Sequence, residues 1–104
     1  MKNLLYILLF STQIFFAQTG FEKGNVFYEK GNYKDAVLAY ESVLNDNKHS
    51  AEIYFNLANA YYKLNKVAPS IYYYEKALVL NPKDKESINN LKFAHKRTID
   101  EIKV

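Results

Sequence analysis

The stretch Ala51–Asp84, AEIYFNLANAYYKLNKVAPSIYYYEKALVLNPKD, sets the reading of this chain. Numbered from Ala51 as position 1, it places Tyr54, Leu57, Ala58 and Tyr61 at positions 4, 7, 8 and 11. Ser70, Tyr74 and Ala77 fall at 20, 24 and 27, and Pro82 falls at 32. Spacings of three and four residues gather each set on one face of a helix. Ser50 is a suitable N-cap for the first helix, with Glu52 in its first turn facing the positive end of the helix dipole. That helix is expected to run to about Leu64, and Asn65-Lys66 to make the turn. Pro69 lies in the first turn of the second helix, where its missing N–H costs nothing. Asn81-Pro82 then stops that helix near Leu80, because the residue before a proline avoids helical backbone angles.

The same numbering, stepped back from Ala51 to Ala17, finds Gly24 at position 8, Phe27 at 11, Ala36 at 20, Tyr40 at 24 and Val43 at 27. Gly20, Lys23 and Lys48 depart from the pattern at 4, 7 and 32, as a first unit that caps an array does. Gly31-Asn32 separates the two helices, and the second is expected over Tyr33–Leu44, with Val37, Tyr40, Val43 and Leu44 on one face. Gly24 is expected to face Ala36 where the helices of this unit cross, and Ala58 to face Ser70 in the next. Larger side chains there would push the helices apart, at about 1–3 kcal/mol. A period of about 34 residues with these positions filled resembles the tetratricopeptide repeat (TPR). The resemblance implies an all-α, right-handed helical solenoid of two helix-turn-helix repeats, residues 18–50 and 51–84, and a scaffold that binds protein rather than an enzyme.

Residues 85–104 read as a single capping helix behind Asp84, a good N-cap. Ile88, Leu91, His95, Ile99 and Ile102 make a stripe about 80° wide at 100° per residue. That stripe is expected to cover the open side of the second repeat, since a solenoid otherwise exposes its last core layer. His95, inside the stripe, is expected to be at least half-buried beside a tyrosine. His49 stands alone in a loop, and two distant histidines build no metal site.

Residues 1–17, MKNLLYILLFSTQIFFA, have a basic start at Lys2, an apolar run over Leu4–Phe10 resuming at Ile14, and the small Ala17 before Gln18. This is the pattern of a signal peptide, although Phe15 departs from the small-x-small cleavage rule. The expectation is export to the periplasm or cell envelope, with residues 18–104 forming the fold. The alternative is a membrane-anchored assembly factor held by an uncleaved apolar segment; membrane contact is expected only in that case. No Cys follows the run to carry a lipid.

Composition narrows the function classes. Half of the chain is apolar (49%), with only 3 Gly and 2 Pro, so a packed domain is expected. Absence of Cys removes disulfides, thiolate metal sites and cysteine nucleophiles. The net charge of +3 is mild. Lys92, Lys96, Arg97 and Lys103 are offset by Asp84, Glu86, Asp100 and Glu101, so no nucleic-acid partner is expected. No Ser-His-acid set, paired carboxylates or Gly-rich phosphate loop is present, so catalytic, cofactor and metal residues are all expected to be none.

The positions that the repeat pattern leaves free carry the candidate site. Positions 2, 5, 9 and 12 of each first helix lie about 130° from the face that packs on the second helix. They read Gln18, Phe21, Asn25 and Tyr28, then Glu52, Phe55, Asn59 and Tyr62, then Glu86, Asn89, Phe93 and Lys96. The expected partner-binding groove is Phe21, Asn25, Tyr28, Glu52, Phe55, Asn59, Tyr62, Lys63, Asn89, Phe93 and Lys96. It lies on the concave side of the solenoid, with Asn25 and Asn59 offering amides to an extended peptide or partner-protein segment. Chaperone-binding TPR domains resemble one another in a clamp of two asparagines and three basic residues. The asparagines map to Asn25 and Asn56, but the basic positions are Phe21, Glu86 and Asn90. A clamp without cations holds a terminal carboxylate poorly, so that activity is not expected. With barely two repeats, stacking on a second copy could extend the solenoid, and the sequence leaves the oligomeric state open.

A finer resemblance rests on FEKGN and GNY in the first repeat, on HSAEIYFNLANAYYKLNKVAPSIYYYEKALVLNPKD, and on NNL, FA and TID in the last helix. These are similar to the amino-terminal region of the TPR-containing E proteins of the bacterial aerotolerance (Bat) operon. The resemblance implies an envelope protein whose partners are other products of that operon, von Willebrand A-type proteins among them. Members of that family continue into a membrane segment and an SH3-like domain, so this chain is expected to be a short paralogue or a truncated product.

Overall fold

The computed structural model describes residues 18–102; the expected signal sequence lies outside the described residues. Five helices follow one another: α1 (Gly20–Glu29), α2 (Tyr33–Asn45), α3 (Ala51–Lys63), α4 (Val67–Leu80) and α5 (Lys85–Ile102). Each packs on the one before it, α1 on α2, α2 on α3, α3 on α4 and α4 on α5, which is the all-α solenoid expected. None of the described helices is long and apolar enough to cross a membrane.

The boundaries have local causes. The Thr19 hydroxyl accepts from the Glu22 N–H at 3.1 Å and opens α1. The Ser50 hydroxyl accepts from the Ile53 N–H at 3.1 Å and opens α3. Both satisfy amides that a helix start leaves without partners. The turns after α1 and α3 use equivalent positions in the left-handed region, Gly31 (φ 77°) and Asn65 (φ 63°). Glycine and asparagine are the residues that enter this region at least cost. Ser87 donates its hydroxyl to the Asp84 carboxylate at 2.6 Å, which fixes the start of α5.

Two buried clusters hold the stack. The first joins Ala36, Val37 and Tyr40 of α2 to Ile53, Tyr54, Leu57 and Ala60 of α3 and to Ala77 of α4. The second joins Ala58 of α3, Val67 and Tyr74 of α4 and Ala94 of α5. Burying such side chains contributes about 1.5–3 kcal/mol for each large one. No buried side-chain polar atom among the described residues lacks a hydrogen-bond partner.

One packing expectation is sharpened and another corrected. The atoms nearest to Gly24 belong to the Tyr40 ring: a Cβ on Gly24 would sit 2.5 Å from Tyr40 Cδ1 and 2.8 Å from Cζ. The glycine makes room for a ring on the neighbouring helix, and Ala36 is buried in the cluster that α2 forms with α3. The correction concerns α5. Its buried residues are Ser87 and Ala94, with Leu91 half-buried beside them. His95 is exposed, and Ile99 and Ile102 are 55% and 75% exposed. In register, Ser87 and Ala94 are the counterparts of the buried Ile53 and Ala60 of α3. That side meets the preceding repeat, so small residues bring α5 close. Most of the apolar stripe lies where a following helix would pack, and no described helix follows.

Candidate functional site

One face of the molecule is built by α1, α3 and α5, the first helices of successive units. Two adjoining cavities open on it. The larger, about 250 Å³, is lined by Tyr28, Asn59, Tyr62, Lys63, Tyr74, Asn90 and Phe93. The smaller, about 160 Å³, is lined by Asn25, Tyr28, Glu29, Tyr40, Asn56 and Asn59. Tyr28 and Asn59 line both and so form the wall between them.

Of the expected groove residues, the structure gathers Asn25, Tyr28, Asn59, Tyr62, Lys63 and Phe93 on this face. Phe93 is 63% exposed and presents its ring to solvent at the larger cavity. Phe21 and Phe55 turn instead toward the interior. Phe21 packs on Tyr40 with ring centroids 6.2 Å apart, and Phe55 on Tyr74 at 6.1 Å. Glu52, Asn89 and Lys96 are exposed and line neither cavity. Glu29, Tyr40, Asn56, Tyr74 and Asn90 line the face without having been expected there.

The asparagines are not idle amides. Tyr40 donates its hydroxyl to Asn25 Oδ1 at 2.6 Å, and Asn56 Nδ2 donates to the same oxygen at 3.2 Å. One repeat later, the Tyr74 hydroxyl and Asn90 Nδ2 (3.1 Å) converge on Asn59 Oδ1. Each clasp joins three helices: a tyrosine from a second helix, and asparagines from two successive first helices. A carbonyl oxygen has two lone pairs, and both are used here. Asn25 and Asn59 therefore hold the walls of the cavities with their oxygens. The signal was present in the sequence as the recurrence Asn25, Tyr40, Asn56 and Asn59, Tyr74, Asn90 at the repeat spacing. Burial raises the hydroxyl pKa of Tyr40 to about 12, with help from Tyr28 and Glu29 nearby. Burial likewise raises those of Tyr74 and Tyr28. These hydroxyls are neutral at physiological pH, and those of Tyr40 and Tyr74 donate to the clasps.

The C-terminal rim is set by Arg97. Its guanidinium lies over the Tyr62 ring, 5.0 Å from the centroid. It donates to the Tyr62 carbonyl at 3.5 Å and to Asn65 Oδ1, and pairs with Glu101 at 3.6 Å. A cation here also suits the negative end of α3.

On the opposite side, between α2 and α4, a second aromatic assembly was not anticipated. Tyr73 stacks on Tyr61 (centroids 5.8 Å, 2° between planes) and on Tyr54 (6.0 Å, 23°). Tyr61 donates its hydroxyl to Glu41, and burial followed by this bond raises its pKa. His49 Nδ1 lies 2.5 Å from the Tyr54 hydroxyl, so the loop histidine is paired rather than alone. These contacts bridge the two repeats. Among the described residues no three His, Asp or Glu gather to hold a metal ion.

Comparison with known families agrees with this architecture. A family described as TPR repeat matches residues 24–65, and one described as tetratricopeptide repeat matches residues 51–84. A search of curated proteins returned no match. The two family matches overlap in α3 and together run from Gly24, within α1, to Asp84, beyond the end of α4, and the helices and turns they cover are those of a repeat solenoid: the chain belongs to the tetratricopeptide-repeat family.

Proposed function

We propose that this chain is a non-enzymatic scaffold that binds an extended peptide, or an extended segment of a partner protein, on the face formed by α1, α3 and α5. One observation carries the reading: two adjoining cavities, separated by Tyr28 and Asn59, open on a single face lined by aromatic rings and amides. Ligand sites combine apolar surface with a few fixed polar groups in this way. The clasps hold the amides in place before any ligand arrives, which lowers the ordering cost of binding. The decisive variant is Phe93→Ala, because Phe93 is exposed and its removal leaves the core intact. Peptides selected from a displayed random library by the parent protein should lose about tenfold in affinity on Phe93→Ala. Equal affinity for both proteins would place the binding surface elsewhere.

The cellular setting is part of the proposal. The basic start, apolar run and Ala17 of residues 1–17 support export to the periplasm or cell envelope. An amino terminus at Gln18 in the mature protein, read by mass spectrometry, is the expected result; an intact Met1 in a membrane fraction would favour the anchored alternative. The resemblance of the FEKGN, GNY and TID segments to the aerotolerance-operon E proteins is the basis for proposing partners among envelope proteins of that operon. Co-purification with a von Willebrand A-type product would bear on this directly, and its absence under crosslinking would count against it.

A further inference from the structure

The groove carries a charge asymmetry that the repeat pattern does not explain. Glu29, Lys63 and Arg97 occupy the same register position in α1, α3 and α5. The sign therefore reverses between the first repeat and the second. Arg97 is committed to Tyr62, Asn65 and Glu101. Lys63 lines the larger cavity and Glu29 the smaller, both are exposed, and neither forms an ion pair among the described residues. Glu52 reinforces the acidic end, since its charge, like that of Glu29, is felt at the Tyr40 hydroxyl on the wall of the smaller cavity. Among the described residues, no Lys or Arg lines the smaller cavity, and no Asp or Glu lines the larger one.

We propose that the groove selects a peptide segment carrying both a basic and an acidic side chain, the basic one entering beside Glu29 and the acidic one beside Lys63. This rests on the groove reading above. The cavities share Tyr28 and Asn59 as a common wall, so a single segment can reach both. Complementary charge of this kind fixes register and excludes partners of the wrong sign more than it adds raw affinity.

The test is selection from a displayed library of random heptapeptides against the parent and against two variants, Glu29→Lys and Lys63→Glu. Both replaced residues are exposed, so the melting curves should match the parent's. Parent-selected peptides should be enriched in a basic and an acidic residue at one fixed separation, in either chain direction. Glu29→Lys should lose the basic preference alone, and Lys63→Glu the acidic preference alone. Each should weaken a parent-selected peptide about tenfold, with the difference shrinking at high salt. Selected peptides that need Phe93 but show no charge pattern, or a pattern unmoved by both variants, would overturn the inference and leave the groove standing. Peptides indifferent to Phe93→Ala, or no enrichment at all, would overturn the groove and this inference with it.

Discussion

The two repeats use the same clasp with different backbones around it. In the first, Asn25 receives Tyr40 and Asn56; in the second, Asn59 receives Tyr74 and Asn90. Beside the clasp, the first repeat has Gly24 pressed under the Tyr40 ring, whereas the second has Ala58 in the Tyr74 cluster. At the turn, Gly31 offers no side chain, whereas Asn65 accepts from Arg97. The counterpart of Arg97 one repeat earlier is Lys63, which has no such acceptor at Gly31 and lies along the larger cavity. The polar junction between repeats is thus the constant, and helix spacing and turn chemistry are adjusted around it. That difference also leaves one cation unengaged in the groove.

The largest difference between the repeats is expected at the crossing of their two helices. Gly24→Ala should destabilise the protein by about 1–3 kcal/mol, because the added methyl must displace a ring that is only 1% exposed. The converse change, Ala58→Gly, should cost about 1 kcal/mol, mainly in helix backbone entropy. Denaturant melts of both decide it: a Gly24→Ala protein at least as stable as Ala58→Gly would mean that the first crossing is not tight.

Next in size is the clasp itself. Asn59→Ala should cost about 1–3 kcal/mol, because it leaves the buried Tyr74 hydroxyl unpaired and cuts the link to α5. Asn90→Ala should cost less, since Tyr74 keeps its acceptor. Combining Asn59→Ala with Tyr74→Phe should be milder than the sum of the two, as expected for partners in one bond. Strict additivity would show that the bond contributes nothing. Reading Asn59 as a pure ligand contact would predict no loss of stability at all, and the structure argues against that.

Alkaline pH probes both clasps at once. A tyrosine whose folded pKa is raised binds its proton more tightly in the folded state. Its contribution is complete below pH 10 and is lost as pH rises from 10 toward about 12 for Tyr40. Tyr74 shifts in the same direction. Melting temperature should therefore fall across that window, and tyrosinate absorbance should show hydroxyls that titrate late. A flat melting temperature up to pH 12 would contradict the burial of these groups.

The smallest effect is expected at the turn. Arg97→Ala should change global stability by less than about 1 kcal/mol, because its contacts are half-exposed. It should still raise amide exchange in the last turns of α5, where Ile99 and Ile102 make few buried contacts. Protection equal to the parent's would show that Arg97 does not pin that end.

Much of the fold was legible because its determinants are local. Ser50 caps α3, Gly31 and Asn65 take left-handed turns, and Pro82 ends the second repeat; each acts within a few residues of itself. About half of the expected groove could be read in the same way. Asn25, Tyr28, Asn59, Tyr62, Lys63 and Phe93 share the face that the 100° projection assigns them. Phe21 and Phe55 share that projection, yet pack against tyrosines of the following helices, because a long ring reaches whichever neighbour lies within about 6 Å. The stripe on α5 failed for a related reason. Its large apolar residues mark a face that a following helix would cover, whereas contact with the preceding repeat is made by Ser87 and Ala94, whose small size lets the helices approach.

Alone, the sequence determined the number of repeats, the helix ends and the family, since periodicity and capping are properties of adjacent residues. Tertiary structure decided which amides are spent on holding the stack, which rings are buried, and which charges of the groove remain unpaired. Those outcomes depend on contacts between helices one repeat apart, and a rotation of 100° per residue fixes a side chain's bearing on its own helix but not what stands opposite it.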